Sequence, residues 1–145
     1  MATRTARTAW NGSLKEGSGQ VELSSSHLGT YDVSWPKRTA DDADGTTSPE
    51  ELIAAAHSSC YAMQLSGLIG RAGGTTEAVE VTADVGFGED PAGGFRITGV
   101  KLTVRAEVSG LDADAFADVA AQAKDTCPVS KALTGTEITL DAALA

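Results

Sequence analysis

Ser48-Pro49-Glu50-Glu51-Leu52-Ile53-Ala54-Ala55-Ala56-His57-Ser58-Ser59-Cys60, continued by YAMQLSGLIG to residue 70, is the stretch whose reading decides the fold. Ser48 offers a capping hydroxyl, Pro49 suits the first helical position, and Glu50 and Glu51 fall in the electropositive first turn. Glu51, three residues after Ser48, completes a capping-box pattern. Residues 52–70 are then 19 in a row without a formal charge, closed by Arg71 and Gly73-Gly74. About 20 uncharged residues would suffice to cross a membrane, but His57, Ser58, Ser59, Gln64, Ser66 and Gly67 suit that role poorly. The stretch predicts instead a helix buried on nearly all sides, with small residues that admit close approach by another helix or a sheet.

On its N-terminal side the chain has strand chemistry. Asn11-Gly12 is a tight-turn pair after Trp10, and Val21 and Leu23 alternate with polar neighbours beyond Gly17 and Gly19. Tyr31, Val33 and Trp35 alternate likewise and stop at Pro36, and the polar run from Pro36 to Pro49 predicts a surface loop. On the C-terminal side Val79, Val81, Ala83, Val85 and Phe87 predict a half-buried strand. Phe95 and Ile97 are apolar at odd positions, whereas Val100, Leu102, Val104, Ala106 and Val108 are even. Side chains alternate faces, so this phase change predicts a bulge near Thr98-Gly99. Leu111, Ala115, Phe116, Val119, Ala120 and Ala123 have helical spacing. That helix breaks before Pro128, a short helical turn covers 129–133, and Ile138 and Leu140 predict a closing strand. The order β-β-β-α-β-β-α-β indicates an α+β fold built on antiparallel meanders, in a single domain over residues 1–145.

Composition sets limits on this fold. Leu, Ile, Val and Phe are only 28 of 145 residues, 19%, beside 24 alanines and a net charge of -9. A lone monomer so poor in large side chains would struggle to offset the entropy of ordering its backbone. With clear strand patterns and a capped helix in place, the shortage predicts an obligate dimer that shares its core. Twenty acids against 11 bases exclude a general nucleic-acid binder and an anionic membrane surface. The opening MATRTARTAW has no apolar run of signal-peptide length, so a cytoplasmic protein is expected.

The sequence lacks a phosphate-binding glycine loop, a C-x-x-C pair and a G-x-S-x-G elbow. His57 and Cys60 could touch one metal ion, but no second ligand cluster supports a zinc site. The two cysteines remain, Cys60 and Cys127, and taken alone each reads as a buried free thiol. Charge placement adds a second reading. Lys37-Arg38 lies in the loop before the helix that carries Cys60, and Glu50 sits at that helix's start. A guanidinium beside a thiol stabilises the thiolate, and a carboxylate can fix the guanidinium through two parallel hydrogen bonds. Cys127, directly before Pro128, could cap a short helix whose positive end favours a thiolate.

The 48–60 block closely resembles the signature of the OsmC family of hydroperoxide reductases. Cys127-Pro128-Val129-Ser130 resembles that family's second cysteine motif, as Trp10-x-Gly12 and Gly17-x-Gly19 resemble its N-terminal pattern. His57-Ser58-Ser59-Cys60, with an arginine after the third strand, is more similar to OsmC proper than to its sister group Ohr. The resemblance implies a thiol peroxidase acting on organic hydroperoxides, with Cys60 the peroxidatic cysteine and Cys127 the resolving one. It implies further that Arg38 activates the thiol, that Glu50 fixes Arg38, and that a Cys60–Cys127 disulfide forms during turnover. No bound cofactor is implied; the reductant would be an external dithiol, with lipoylated proteins the leading candidates. The implied architecture is an intertwined homodimer whose strands wrap two central helices, with active sites at the subunit interface. A binding or redox-sensor module with little turnover is the alternative.

One geometric expectation follows. On a straight helix Glu50 and Cys60 lie roughly 15 Å apart along the axis and about 280° around it. They cannot converge on one arginine, so either the helix breaks between Ala55 and Ser59 or a second subunit completes the site. Lys37 is a competitor for part of Arg38's role.

Overall fold

The structure, a computed structural model, describes residues 1–145, which separate into two compact units, Met1–Leu52 and Ile53–Ala145. In the first unit β1 (Arg7–Asn11), β2 (Ser18–Glu22) and β3 (Thr30–Val33) form an antiparallel sheet in that order. The turn after β1 opens at Gly12, whose φ of 90° is a conformation glycine adopts without strain. The third strand stops two residues earlier than its alternation predicts. Ser34 caps a four-residue helix there, α1 (Trp35–Arg38), its hydroxyl accepting the Lys37 N–H at 3.3 Å, with Pro36 in the first turn. The expected polar loop therefore begins with a helical turn, which fixes the backbone that carries Arg38.

Helix α2 (Pro49–Arg71) starts where its cap predicts: the Glu51 N–H donates to the Ser48 hydroxyl at 3.2 Å. The Glu51 carboxylate accepts the Thr47 hydroxyl at 2.7 Å, so the acid serves the cap from a neighbouring position. No helix is long and apolar enough to cross a membrane.

The second unit is built on a sheet ordered β4 (Thr75–Glu89), β5 (Phe95–Ser109) and β6 (Ile138–Leu144). The β4–β5 pair is a long antiparallel hairpin whose register slips where the phase change requires. Gly86 pairs with Gly99, but Phe87 pairs with Ile97, leaving Thr98 as the extra residue. A Cβ at Gly86 would collide with the Thr98 hydroxyl, so the bulge needs glycine opposite it. A second slip, between Thr76 and Ala78, left no mark in the apolar pattern. The expected antiparallel arrangement fails at the last strand, because β6 runs parallel to β5. Helices α3 (Ala113–Thr126) and α4 (Pro128–Ala132) form the crossover that a parallel pair demands.

The even positions of β5, Val100, Leu102, Val104 and Ala106, are buried in one cluster with Phe116, Val119, Ala120 and Ala123 of α3. Tyr61, Leu65, Leu68 and Ile69 of α2 join them, at the helical spacing that puts them on one face. The expectation that α2 is buried on nearly all sides is corrected here. Ala55, Ala56, Ser59, Ser66, Gly67 and Gly70 are exposed, and Met63 is 71% exposed. Within one chain α2 has one core face; its other face is uncharged and open.

Candidate active site

Arg38 and Glu50 meet as the charge placement anticipates. Glu50, in the first turn of α2, is only 8% exposed. Arg38 Nε donates to both carboxylate oxygens, at 3.1 and 3.2 Å, and a terminal guanidinium nitrogen donates to Oε1 at 2.7 Å. The guanidinium also lies 5.9 Å from the centre of the Trp35 ring. Lys37 does not join this pair: its ammonium bonds Asp44 at 2.9 Å, and that bond holds the Asp44 carboxyl below its ordinary value. In the same unit Arg38 borders a cavity of about 190 Å³ with Trp10, Leu14, Trp35 and Pro49.

Cys60 and Cys127 form the second pair. Pro128 has no N–H with which to continue α3, but it suits the start of α4, and Cys127 is the junction between the two. Cys127 is fully buried and Cys60 partly exposed; both are free thiols, and they lie side by side, near enough for the Cys127 thiol to act on the ionisation of Cys60. The Val129 N–H, one of those left unpaired at the start of α4, is near enough to the Cys60 sulfur to favour its thiolate. Burial is the largest influence on Cys60 and pushes its thiol up; the Val129 N–H opposes this, and the Cys127 thiol adds to it. Tyr61 is likewise pushed up, chiefly by burial, and its hydroxyl donates to the Ala120 carbonyl at 2.9 Å.

His57 and Gln64, to which the sequence assigns no role in catalysis, also reach this junction. His57, fully buried one turn before Cys60, has Nε2 2.7 Å from the Ser130 hydroxyl, while Nδ1 has no partner. Burial holds the His57 pKa below its ordinary value, so the ring stays neutral. Gln64 Nε2 donates to the Thr126 hydroxyl at 2.8 Å. A signal was present: His57, Tyr61 and Gln64 are polar at i, i+4 and i+7, on the stripe that carries the core residues of α2. No group of three or more His, Cys, Asp or Glu side chains is placed to hold a metal ion.

The break expected between Ala55 and Ser59 is absent; α2 is helical from Pro49 to Arg71. The structure therefore joins Arg38 with Glu50 and Cys60 with Cys127, as two pairs in two units.

Comparison with known proteins gives these pairs a family. The model of the OsmC-like protein family matches residues 41–142, which include Glu50, Cys60 and Cys127. Over 132 residues the chain is 40% identical to peroxiredoxin OsmC of Escherichia coli strain K12, covering 91% of this chain and 90% of that protein. It is 31% identical over 103 residues to organic hydroperoxide resistance protein-like 2 of Staphylococcus epidermidis, 69% of each. An organic hydroperoxide resistance protein from Elizabethkingia anophelis superposes with a TM-score of 0.79 at 28% identity, covering 100% of this chain and 98% of that one. OhrB of Bacillus subtilis gives 0.72 at 26%, covering 97% and 98%. In sequence and in its α+β fold, the chain belongs to the OsmC family.

Proposed function

We propose that the chain is a thiol-dependent peroxidase that reduces organic hydroperoxides to alcohols in oxidative and osmotic stress defence. The observation that carries this reading is the partly exposed Cys60 thiol beside the buried Cys127 thiol, both free, in a chain so similar to a peroxiredoxin. The Cys60 thiolate attacks the distal peroxide oxygen; the O–O bond breaks, and the alkoxide takes a proton and leaves as alcohol. Cys60 is then a sulfenic acid. Cys127 attacks its sulfur, the S–O bond breaks, and the hydroxyl leaves as water with the Cys127 proton. An external dithiol, with lipoylated proteins the leading candidates, exchanges with the Cys60–Cys127 disulfide and restores both thiols. No bound cofactor takes part.

The thiolate is the attacking species, yet burial raises Cys60 within its own unit, so the reaction needs a nearby cation. Arg38, held in a two-pronged grip by Glu50, is that cation. With α2 unbroken, the interface of an intertwined homodimer is where Arg38 and Cys60 come together, and the open uncharged face of α2 packs against its twin. The proposed compartment is the cytoplasm.

Steady-state turnover tests this. Cumene hydroperoxide should be consumed in many equivalents per chain with dihydrolipoamide, and Cys60→Ser should abolish the consumption. One observation favours a second reading, a redox sensor with little turnover: burial raises the Cys60 thiol within its own unit, which lowers the share present as thiolate. Oxidation by a single equivalent of peroxide with no further turnover in the presence of the dithiol would establish that reading instead.

A further inference from the structure

The Cys127 junction is held from both sides. Immediately before the cysteine, Thr126 accepts a hydrogen bond from Gln64 at 2.8 Å; three residues after it, Ser130 bonds His57 at 2.7 Å. Both holding side chains come from α2, and in sequence they straddle Cys60. Each bond is long-range, spanning 62 and 73 residues, so neither is part of the local folding of α3 or α4. Tyr61, between them, ties α3 to the same face through the Ala120 carbonyl. The corner that bears Cys127 is therefore fixed to the helix turn that bears Cys60, rather than left as a mobile connection.

We infer that His57 and Gln64 are positioning residues for disulfide closure, acting through Ser130 and Thr126 to keep the Cys127 sulfur beside Cys60 before any peroxide arrives. This rests on the peroxidase reading for its biological use, but not for its geometry. In the closure step the S–O bond of the Cys60 sulfenic acid breaks, the Cys60–Cys127 S–S bond forms, and the hydroxyl leaves as water with the Cys127 thiol proton. The oxidant is the organic hydroperoxide that made the sulfenic acid. Intramolecular closure is fast in proportion to how often the two sulfurs are within bonding reach. A junction held at 126 and 130 keeps that fraction high and spares the chain a local unfolding event in each cycle. His57 contributes as a neutral ring whose Nε2 faces Ser130, in a buried site where a charged ring would be costly.

The test uses the hydroxyl side of each bond, because removing His57 would also leave a hole in the core. Thr126→Val and Ser130→Ala, singly and together, are equilibrated as full-length protein in reduced and oxidised glutathione. The effective concentration of the Cys60–Cys127 pair is read from the fraction of disulfide. It should fall about tenfold in the double variant, as expected for losing two hydrogen bonds of ordinary net strength. Ser130→Thr, which keeps a hydroxyl, should stay within twofold of the parent. After rapid mixing with cumene hydroperoxide, first-order disulfide closure should slow by the same factor, while second-order oxidation of Cys60 stays within twofold. A folded double variant with the parent's glutathione equilibrium would overturn the inference, as would a Ser130→Thr variant no better than Ser130→Ala. If the double variant does not fold, Thr126→Val alone decides, since Thr126 is only half-buried. Should Cys60 not react with peroxide at all, the peroxidase reading fails, and the glutathione equilibrium still decides whether the junction is held for closure.

Discussion

At the scale of single residues, some groups bear charge and others must not. Arg38 and Glu50 bear it: three hydrogen bonds bind a guanidinium to a carboxylate that is 8% exposed. Arg38→Lys keeps the charge and loses the fork, so kcat/KM for cumene hydroperoxide should fall roughly tenfold or more, the size of a charge-assisted hydrogen bond lost. A variant with unchanged kcat/KM would remove Arg38 from the account. His57 must stay neutral. Its folded pKa lies below its ordinary value of 6.5, so the unfolded chain binds the extra proton first. The stability it protects is therefore complete above about pH 6.5 and is lost as the pH falls below that value. His57→Gln should flatten the slope of Tm between about pH 7 and pH 5; an unchanged slope would place the acid sensitivity elsewhere. The pairing of Arg38 with Glu50 was legible in the sequence as charge placement, and Cys60 and Cys127 stood out through motifs that resemble a known family. The bonds made by His57 and Gln64 were not legible, because their partners lie 73 and 62 residues away and only the fold brings them together.

At the scale of elements, periodicity placed nearly every strand and helix, because burial on one face leaves a period in the chain. It went furthest at the bulge, where a shift from odd to even apolar positions pointed to Thr98-Gly99 and the register leaves Thr98 as the extra residue. The same argument supports a prediction. Gly86→Ala puts a methyl into the Thr98 hydroxyl and should cost about 1–3 kcal/mol in urea unfolding. Gly86→Ala with Thr98→Ala should recover most of that loss, and no recovery would mean the bulge does not require the glycine. Where periodicity failed, the missing information was of another kind. The α1 turn lies under Pro36, which reads equally as a strand stop and as a helix start. The parallel pairing of β6 depends on the path of α3 and α4, and alternation along β6 is the same in either direction. Residues 52–70 of α2 carry no charge, which the sequence shows; that only one face meets the core of its own chain, it does not.

At the scale of the whole molecule, the shortage of large side chains and the open face of α2 have one explanation in the proposed homodimer. Gly67 separates that face from the fold of the single chain, because a Cβ there meets nothing within 4 Å. Gly67→Glu should leave the chain folded, with a gain of up to about 1 kcal/mol from replacing a helical glycine. It should convert a dimer to a monomer in sedimentation velocity and suppress turnover with it. A Gly67→Glu protein that sediments as the parent dimer would place the interface elsewhere. The central claim concerns chemistry between two sulfurs, and mass spectrometry of peptides tests it most directly. Fully reduced protein is mixed with one equivalent of cumene hydroperoxide, quenched with an alkylating agent and digested without reductant. A peroxidase of this kind should show prompt loss of both free thiols and recovery of the Cys60 and Cys127 peptides joined by a disulfide. Recovery of both peptides alkylated and separate, with the peroxide unconsumed, would contradict the claim.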